Sequence, residues 1–478
     1  MLETKFQIAT DKLITYWKGE RVESRKIRRT LTRLDKMAAA KANAKAEDWK
    51  AWESMRQAPE ENRRRIGESL ARLAESDAVV RYLVGVLAPP EPEPADPRLG
   101  YEDFALEIGP GNGGGLTVRV ESPAGEGEED NPFPFAIDEL GSLIHSIEGR
   151  VCRSGARKAH PAQRRRGKLI EVTPKELGHR LFNALFQGSV LKRWIASLTQ
   201  IRERRHLGLR LRLIFNLGKD PRLDAIAALP WELLCDPETG DYLSLENSVV
   251  RFLTLPRATL PPPVAPPLRV LLMPSNPSDL RPLQLAHEHE RIAGAWRALP
   301  AVRVETVKAD LASLREYLQA AEYNVLHFMG HGEFGDEGEL LLEAADGSSE
   351  PMTGRILGSV LRTAPSLRLV VLNACSSGEM PRRHGLDPYS SVASALVAAG
   401  LPAVVAMQFP VFDETASIFS EKLYRRLAAG DSPEAAVTKG RLAIHDHDPE
   451  SLEWATPVLY LRALDGGIVR GIIDGDLR

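Results

Sequence analysis

Cysteine is scarce: Cys152, Cys235 and Cys375 are the only three in 478 residues, odd in number and far apart. Such spacing supplies no disulfide framework, and a reducing compartment, the cytoplasm, fits best. Net charge is scarce too. A formal value of −3 gives no general reason to expect a polyanion as partner. The phosphate-cradling pattern GxxxxGK[ST] is missing, so kinase and GTPase readings find no support, and neither does a metallohydrolase. No internal repeat is present. The first twenty residues, MLETKFQIATDKLITYWKGE, mix charge throughout and contain no signal-peptide apolar region.

One uncharged run needs separate treatment. Residues 389–412, YSSVASALVAAGLPAVVAMQFPVF, are long enough to cross a bilayer. Gly400 and Pro402 interrupt the run near its middle, and its first half is rich in Ser and Ala. A buried helix turning into a buried strand is the expected outcome, with no membrane span.

What is present describes a soluble globular protein: 43% hydrophobic and 27% charged residues, in a chain long enough for two or three domains. Residues 1–88 read as helical, with Ile66, Leu70 and Leu73 at helical spacing and Pro59 opening a new helix. This stretch holds 19 Lys/Arg against 13 Asp/Glu. A solvated helical surface explains that excess better than a nucleic-acid site does. The Pro/acidic stretch APPEPEPADP (88–97) is a stiff linker, placing a boundary over 89–99.

Residues 100–260 read as an α+β region. DFALEI and LTVRVES alternate like strands around GPGNGGG (109–115). A nucleotide-binding loop leads from a strand into a helix, so this glycine run is expected to be a hairpin loop. A helical segment over 174–204 and a strand over 209–215 follow. The basic RKAHPAQRRRGK (157–168) is expected on the surface, and PPPVAPP (261–267) makes a second break.

Residues 268–465 form the most regular part, followed by a tail over 466–478. Strands are expected at 268–273, 302–307, 323–329, 367–374, 402–408 and 455–463. Helices are expected at 284–298, 309–321, 390–399, 414–429 and 432–445, with one more entered at Thr353. A short hairpin falls on GEFGDEGELLLE. Apolar strands alternating with helices predict a mostly parallel sheet flanked by helices, an α/β fold.

In such sheets functional groups collect beyond the carboxyl ends of strands. Two ends here are unusual. Gly330-His331-Gly332 follows one strand, and LNACSSGE (372–379) puts Cys375 at the end of another. A short crossover between them makes the strands natural parallel neighbours, with His331 facing Cys375 across one cleft. Cysteine attacks as a thiolate, which an imidazole promotes, and backbone N–H groups can hold the resulting oxyanion. Taken singly, a strand-end cysteine is more often inert and a histidine more often structural. Together, framed by small residues, they point to a catalytic pair.

Metal chemistry fits poorly. His327 and His331 on a strand stand roughly 13 Å apart, against bonds of about 2 Å to one ion. In HEHE (287–290) the i,i+2 spacing on a helix points the histidines apart. No metal and no cofactor are expected, and His327 is expected inside the sheet, steadying the loop that follows.

VLHFMGHGEF, LVVLNACSSGE, SSVASALVAAGLPAVVAMQFPVFDETA and WATPVLYLRA resemble the CHAT family of caspase-like peptidases, relatives of caspases and separase. The likeness covers roughly 268–463, and ALPWELLCDP extends it upstream to about 100. GHG and NAC-SG stand in the family's order, 44 residues apart from histidine to cysteine.

The resemblance implies a caspase–hemoglobinase fold and a Cys/His-dyad endopeptidase. Cys375 would be the nucleophile and His331 the general acid/base, with the N–H groups of Gly332 and Cys375 forming the oxyanion hole. Asn373 would line the pocket for the substrate side chain preceding the cut. Asp279 and Asp413 would add negative charge there, unless they serve as a helix cap or surface carboxylate. The expected preceding residue is basic or medium-sized and polar. Family analogy further implies regulated activation, an activator or adaptor reached through residues 1–88, assembly of several copies, and a protein substrate. In bacteria that substrate would be a gasdermin-like pore former, cut in defence or programmed cell death. The rival readings are a catalytically silent interaction scaffold and an N-terminal nucleic-acid sensor.

Overall fold

A computed structural model describes residues 100–155, 172–204, 207–215, 220–252, 264, 267–283, 302–335, 337–374, 388–409, 411 and 413–462. All lie in the second of two compact units, Pro94–Arg478. The helical reading of 1–88, the 89–99 linker, the basic stretch 157–168, the helix at 284–298, Cys375 and the tail lie outside the described residues.

The upstream part begins with a meander. Strands β1 (Gly100–Pro110), β2 (Leu116–Ser122) and β3 (Gly125–Asn131) pair antiparallel. GPGNGGG therefore joins two strands, as its flanks predict. Helices α1 (Leu140–Gly155), α2 (Pro174–Leu185) and α3 (Gly188–Glu203) follow. Next come β4 (Leu207–Phe215), α4 (Pro221–Ala227), the single turn α5 (Leu243–Glu246) and β5 (Ser248–Phe252). The strand GEGEEDN (β3) carries no apolar alternation, so nothing in its own composition announces it; pairing with β2 makes it a strand.

Downstream the order is β6 (Leu268–Pro274), β7 (Val302–Thr306), α6 (Leu311–Ala320) and β8 (Val325–Gly330). A small antiparallel sheet follows, of β9 (Gly332–Phe334), β10 (Gly338–Glu343) and β11 (Ser349–Thr353). Then come α7 (Gly354–Leu361), β12 (Leu369–Ala374), α8 (Pro388–Ala399), β13 (Ala403–Met407), α9 (Asp413–Ala428), α10 (Pro433–His447) and β14 (Pro457–Leu461). Caps start the helices where polar residues meet apolar runs. Asp310 accepts from the Ser313 N–H at 2.7 Å, Thr353 from Ile356 at 3.3 Å and Ser432 from Ala435 at 3.3 Å.

Eleven strands form one sheet in the order β3-β2-β1-β4-β5-β14-β13-β12-β8-β6-β7. From β13 to β7 every pairing is parallel. β8 and β13 are buried along their whole lengths, which matches apolar runs covered on both faces. β14 runs antiparallel to β13 and parallel to β5, so it joins two parallel groups of opposite direction. The upstream region thus continues the same sheet.

The uncharged run 389–412 resolves as expected into helix and strand. Gly400, at φ 116°, makes the turn between α8 and β13 in a conformation that disfavours a Cβ. No helix among the described residues is long and apolar enough to cross a membrane. Buried charge ties the upstream strands to α10. Arg210 of β4 bonds Asp103 of β1 at 2.6 Å and also pairs with Glu434 in the first turn of α10. Arg212 reaches Asp103 at 2.9 Å and lies 3.7 Å over the Phe252 ring.

Candidate active site

β8 and β12 are adjacent and parallel, paired from Leu369 opposite Val325 to Ala374 opposite Gly330. His331 is the next residue after one strand, and Ala374 immediately precedes Cys375 in the other. The two motifs therefore leave the sheet from neighbouring strands at one height.

His331 is held by a backbone carbonyl. Its Nε2 lies 3.0 Å from the carbonyl oxygen of Arg281. A carbonyl only accepts, so this contact assigns a proton to Nε2 and leaves Nδ1 as the lone-pair nitrogen of the neutral ring. The supporting loop after β6 is itself fastened to its neighbours. The Ser275 N–H donates to Met329 at 2.8 Å, and its hydroxyl donates to the Leu341 carbonyl at 2.6 Å. The Asn276 amide oxygen accepts from Leu283 at 3.0 Å, and its backbone N–H donates to Glu343 at 2.8 Å. The Leu341 N–H in turn donates to the His331 carbonyl at 3.0 Å.

The first glycine of GHG is a packing requirement. A Cβ on Gly330 would meet the Phe328 ring at 2.5 Å and the Ser275 Cβ at 3.1 Å. Gly332 opens β9, where it pairs with Leu340.

The other expected site residues fall in different settings. Asn373 is fully buried in β12, opposite Met329. Asp279 lies in the loop after β6, where its two oxygens accept from the Ser349 N–H and hydroxyl, both at 2.8 Å. Those bonds, the hydroxyl's foremost, hold its carboxyl below the usual range. Asp413 opens α9. His331, Gly332 and Asn373 thus share the adjoining ends of β8 and β12, whereas Asp279 is bound to the start of β11.

The remaining candidate groups are structural. His327 is wholly buried inside the sheet, with Nδ1 2.9 Å from the Tyr424 hydroxyl. Burial pushes its pKa down to about 3. The Cys235 thiol is buried and pushed up to about 11, which suits an inert core residue. Arg281 could not be singled out from sequence, because every residue type offers the same carbonyl.

A family model described as CHAT domain matches residues 175–461, more than half of the chain. Among solved structures, the Saccharomyces cerevisiae separase–securin complex at 2.6 angstrom resolution aligns at 13% identity and a TM-score of 0.39. That alignment covers 77% of this chain and 30% of that chain. The same complex at 3.0 angstrom resolution gives 12% identity, a TM-score of 0.38 and the same coverage, 77% and 30%. The aligned part is less than a third of those chains. No curated protein matches the sequence significantly.

Proposed function

The chain belongs to the CHAT-domain family of caspase-like peptidases, and on that premise we propose that it is a Cys/His-dyad endopeptidase. The observation that carries the reading is the register of β8 and β12. Ala374 pairs with Gly330, paired strands lie about 4.8 Å apart, and one peptide bond moves the Cα about 3.8 Å. Covalent geometry alone keeps Cys375 within reach of the strand end that carries His331.

The chemistry then follows from the side chains. His331 Nδ1 takes the thiol proton, and the Cys375 thiolate adds to the carbonyl carbon of the scissile peptide. The N–H groups of Gly332 and Cys375 hold the oxygen as it becomes negative. The imidazolium, with its Nε2–H on the Arg281 carbonyl, gives the Nδ1 proton to the departing amine. The thioester is next hydrolysed by water, with His331 as base. The Arg281 carbonyl accepts from the Nε2–H whether or not Nδ1 carries a proton, so it keeps the ring oriented throughout and no acidic third member is needed.

Asn373 lines the pocket for the residue before the cut, and Asp279 and Asp413 add negative charge around it. Asp279 is a carboxylate at neutral pH, as any exposed aspartate is, which favours a basic or medium-sized polar residue at that position. Residues 1–88, on the 89–99 leash, recruit an activator or adaptor or assemble several copies. Residues 100–260 support the peptidase core at 268–465. The setting is cytoplasmic, and the substrate a protein, such as a gasdermin-like pore former cut in bacterial defence or programmed cell death.

The test compares wild type with Cys375→Ala by proteome-wide mapping of new N-termini, with the native genomic neighbours present. Cys375-dependent cuts after basic or polar residues are expected. Cuts dominated by Asp at that position overturn the pocket assignment. Absence of any Cys375-dependent cut under activating conditions leaves the interaction scaffold as the reading.

A further inference from the structure

Gln408 follows β13 directly. The β12–β13 register ends with Leu372 opposite Ala406, and Gln408 lies two residues beyond that pair on one chain as Ala374 does on the other. Gln408 therefore leaves the sheet from the strand next to the one that leads into Cys375. Its side chain is turned away from water, only 3% exposed.

What surrounds it comes largely from the upstream region. Gln408 Nε2 donates to Glu232 Oε2 and to the Ala455 carbonyl, both at 2.8 Å. Its Oε1 accepts from Arg251 Nη2 at 3.1 Å. Glu232 is fully buried in the turn Trp231–Leu233, and its Oε2 also accepts from Arg251 at 2.9 Å. Arg251 further donates to the carbonyls of Ala227 at 2.9 Å and Leu229 at 3.1 Å. The Ser244 hydroxyl holds the Glu232 carbonyl at 2.6 Å.

Two physical points make this cluster more than ballast. Burying an ion pair is costly, and well-packed apolar groups of the same volume are often as stabilising. Hydrogen bonds from three elements do supply something apolar packing does not, a single fixed orientation for the side chain at their centre. Second, the backbone pairing of β5 with β14 covers Arg251 with Tyr460 and Phe252 with Leu461. Toward Pro457, at the start of β14, the cluster joins the upstream region to the core through side chains, beside the contact of Tyr242 with Trp454.

We propose that Gln408 is a positioning residue of the peptidase site, set by Glu232 and Arg251 of the upstream region. On this proposal the cluster fixes where the chain leaving β13 stands relative to the end of β12. The inference rests on the peptidase reading above. It makes the segment 221–252 a working part of the site, and any partner that displaces this segment would lower turnover by moving that chain.

The experiment uses the full chain with Glu232→Gln, Gln408→Glu and the exchanged pair Glu232→Gln/Gln408→Glu. The exchange swaps carboxylate and amide and conserves charge, giving up the amide's donation to the Ala455 carbonyl. Three readouts are followed: thermal unfolding, alkylation of Cys375 by iodoacetamide, and cleavage of fluorogenic peptides bearing Arg, Lys, Gln or Ser before the reporter. Each single variant is expected to lose about 10- to 100-fold in kcat/KM, with Cys375 alkylation within about twofold of wild type, as the dyad itself is intact. The exchanged pair is expected to recover part of the loss, as the bond between positions 232 and 408 is restored and the one to Ala455 is not. Singles with wild-type kcat/KM, or losses that track the unfolded fraction without recovery in the exchange, overturn the inference alone. A wild-type chain lacking any Cys375-dependent cleavage overturns the peptidase reading and this inference with it.

Discussion

Ala374 of β12 lies directly opposite Gly330 of β8 in a parallel register. That pairing puts the residues after them, Cys375 and His331, on chains leaving the same edge of the sheet from neighbouring strands. The ladder fixes the ends of the two strands relative to each other, and a backbone ladder is stiffer than any loop.

On the proposed peptidase reading, replacing Cys375 or His331 should abolish or sharply lower turnover without unfolding the chain. Cys375→Ala should leave no measurable cleavage. His331→Ala should lower kcat by about 10²- to 10⁴-fold, the range of a lost general acid/base. Peptide cleavage assays beside circular dichroism of the same samples check both.

Asn276 acts at one remove. It braces the loop that presents the Arg281 carbonyl to His331, through bonds with Leu283 at 3.0 Å and Glu343 at 2.8 Å. Asn276→Ala removes the first of these. The expected result is a fall in kcat of about tenfold with KM little changed, since the loop orients the histidine and not the substrate.

His327 should make a recognisable contribution to acid lability. Its folded pKa is about 3 against an ordinary value of 6.5. Its neutral burial thus contributes stability that is fully present above about pH 6.5 and is lost progressively as pH falls toward 3. His327→Phe should flatten the dependence of unfolding free energy on pH by up to about 1.4 kcal/mol per unit in that window. Urea unfolding at pH 7.0 and 5.5 on both proteins measures it. An unchanged slope would mean that the ring is protonated in the folded chain.

Gly330 leaves no room for a methyl group between Phe328 and Ser275. Gly330→Ala should cost about 1–3 kcal/mol of stability as those neighbours shift. Because Ser275 also anchors the loop bearing Arg281, activity should fall along with stability.

Glu434 is fully buried against Arg210. Glu434→Ala takes a buried carboxylate partner from that guanidinium, and about 3–5 kcal/mol of stability should be lost. Denaturant midpoints check the size. Double replacement by Arg210→Met/Glu434→Leu should recover much of it, because no unpaired charge then remains.

Much of the fold was legible in short stretches. LRVLLM, VLHFM and LVVLNA are each apolar but for one residue, Arg269, His327 and Asn373, which calls for strands covered on both faces. Thr353 and Ser432 stand just ahead of helical patterns. GHG and NAC-SG declare themselves by small residues around a reactive side chain at a strand end. All of these signals depend on neighbours within a few residues, so the chain carries them wherever it folds.

Relationships between distant residues were decided only by the tertiary structure. WATPVLYL reads as a strand, yet nothing in it states that β14 runs against β13 and receives β5 on its other side. Asp279 reads as a pocket acid or a surface carboxylate, and only the tertiary structure brings both its oxygens to Ser349, 70 residues on. Arg281 supports His331 through a carbonyl common to every residue type, and Glu232 meets Gln408 across 176 residues. Hydrophobic period and capping chemistry are local and determine which elements form. Strand order, register and buried charge pairing are settled between elements, and they decide which side chains meet.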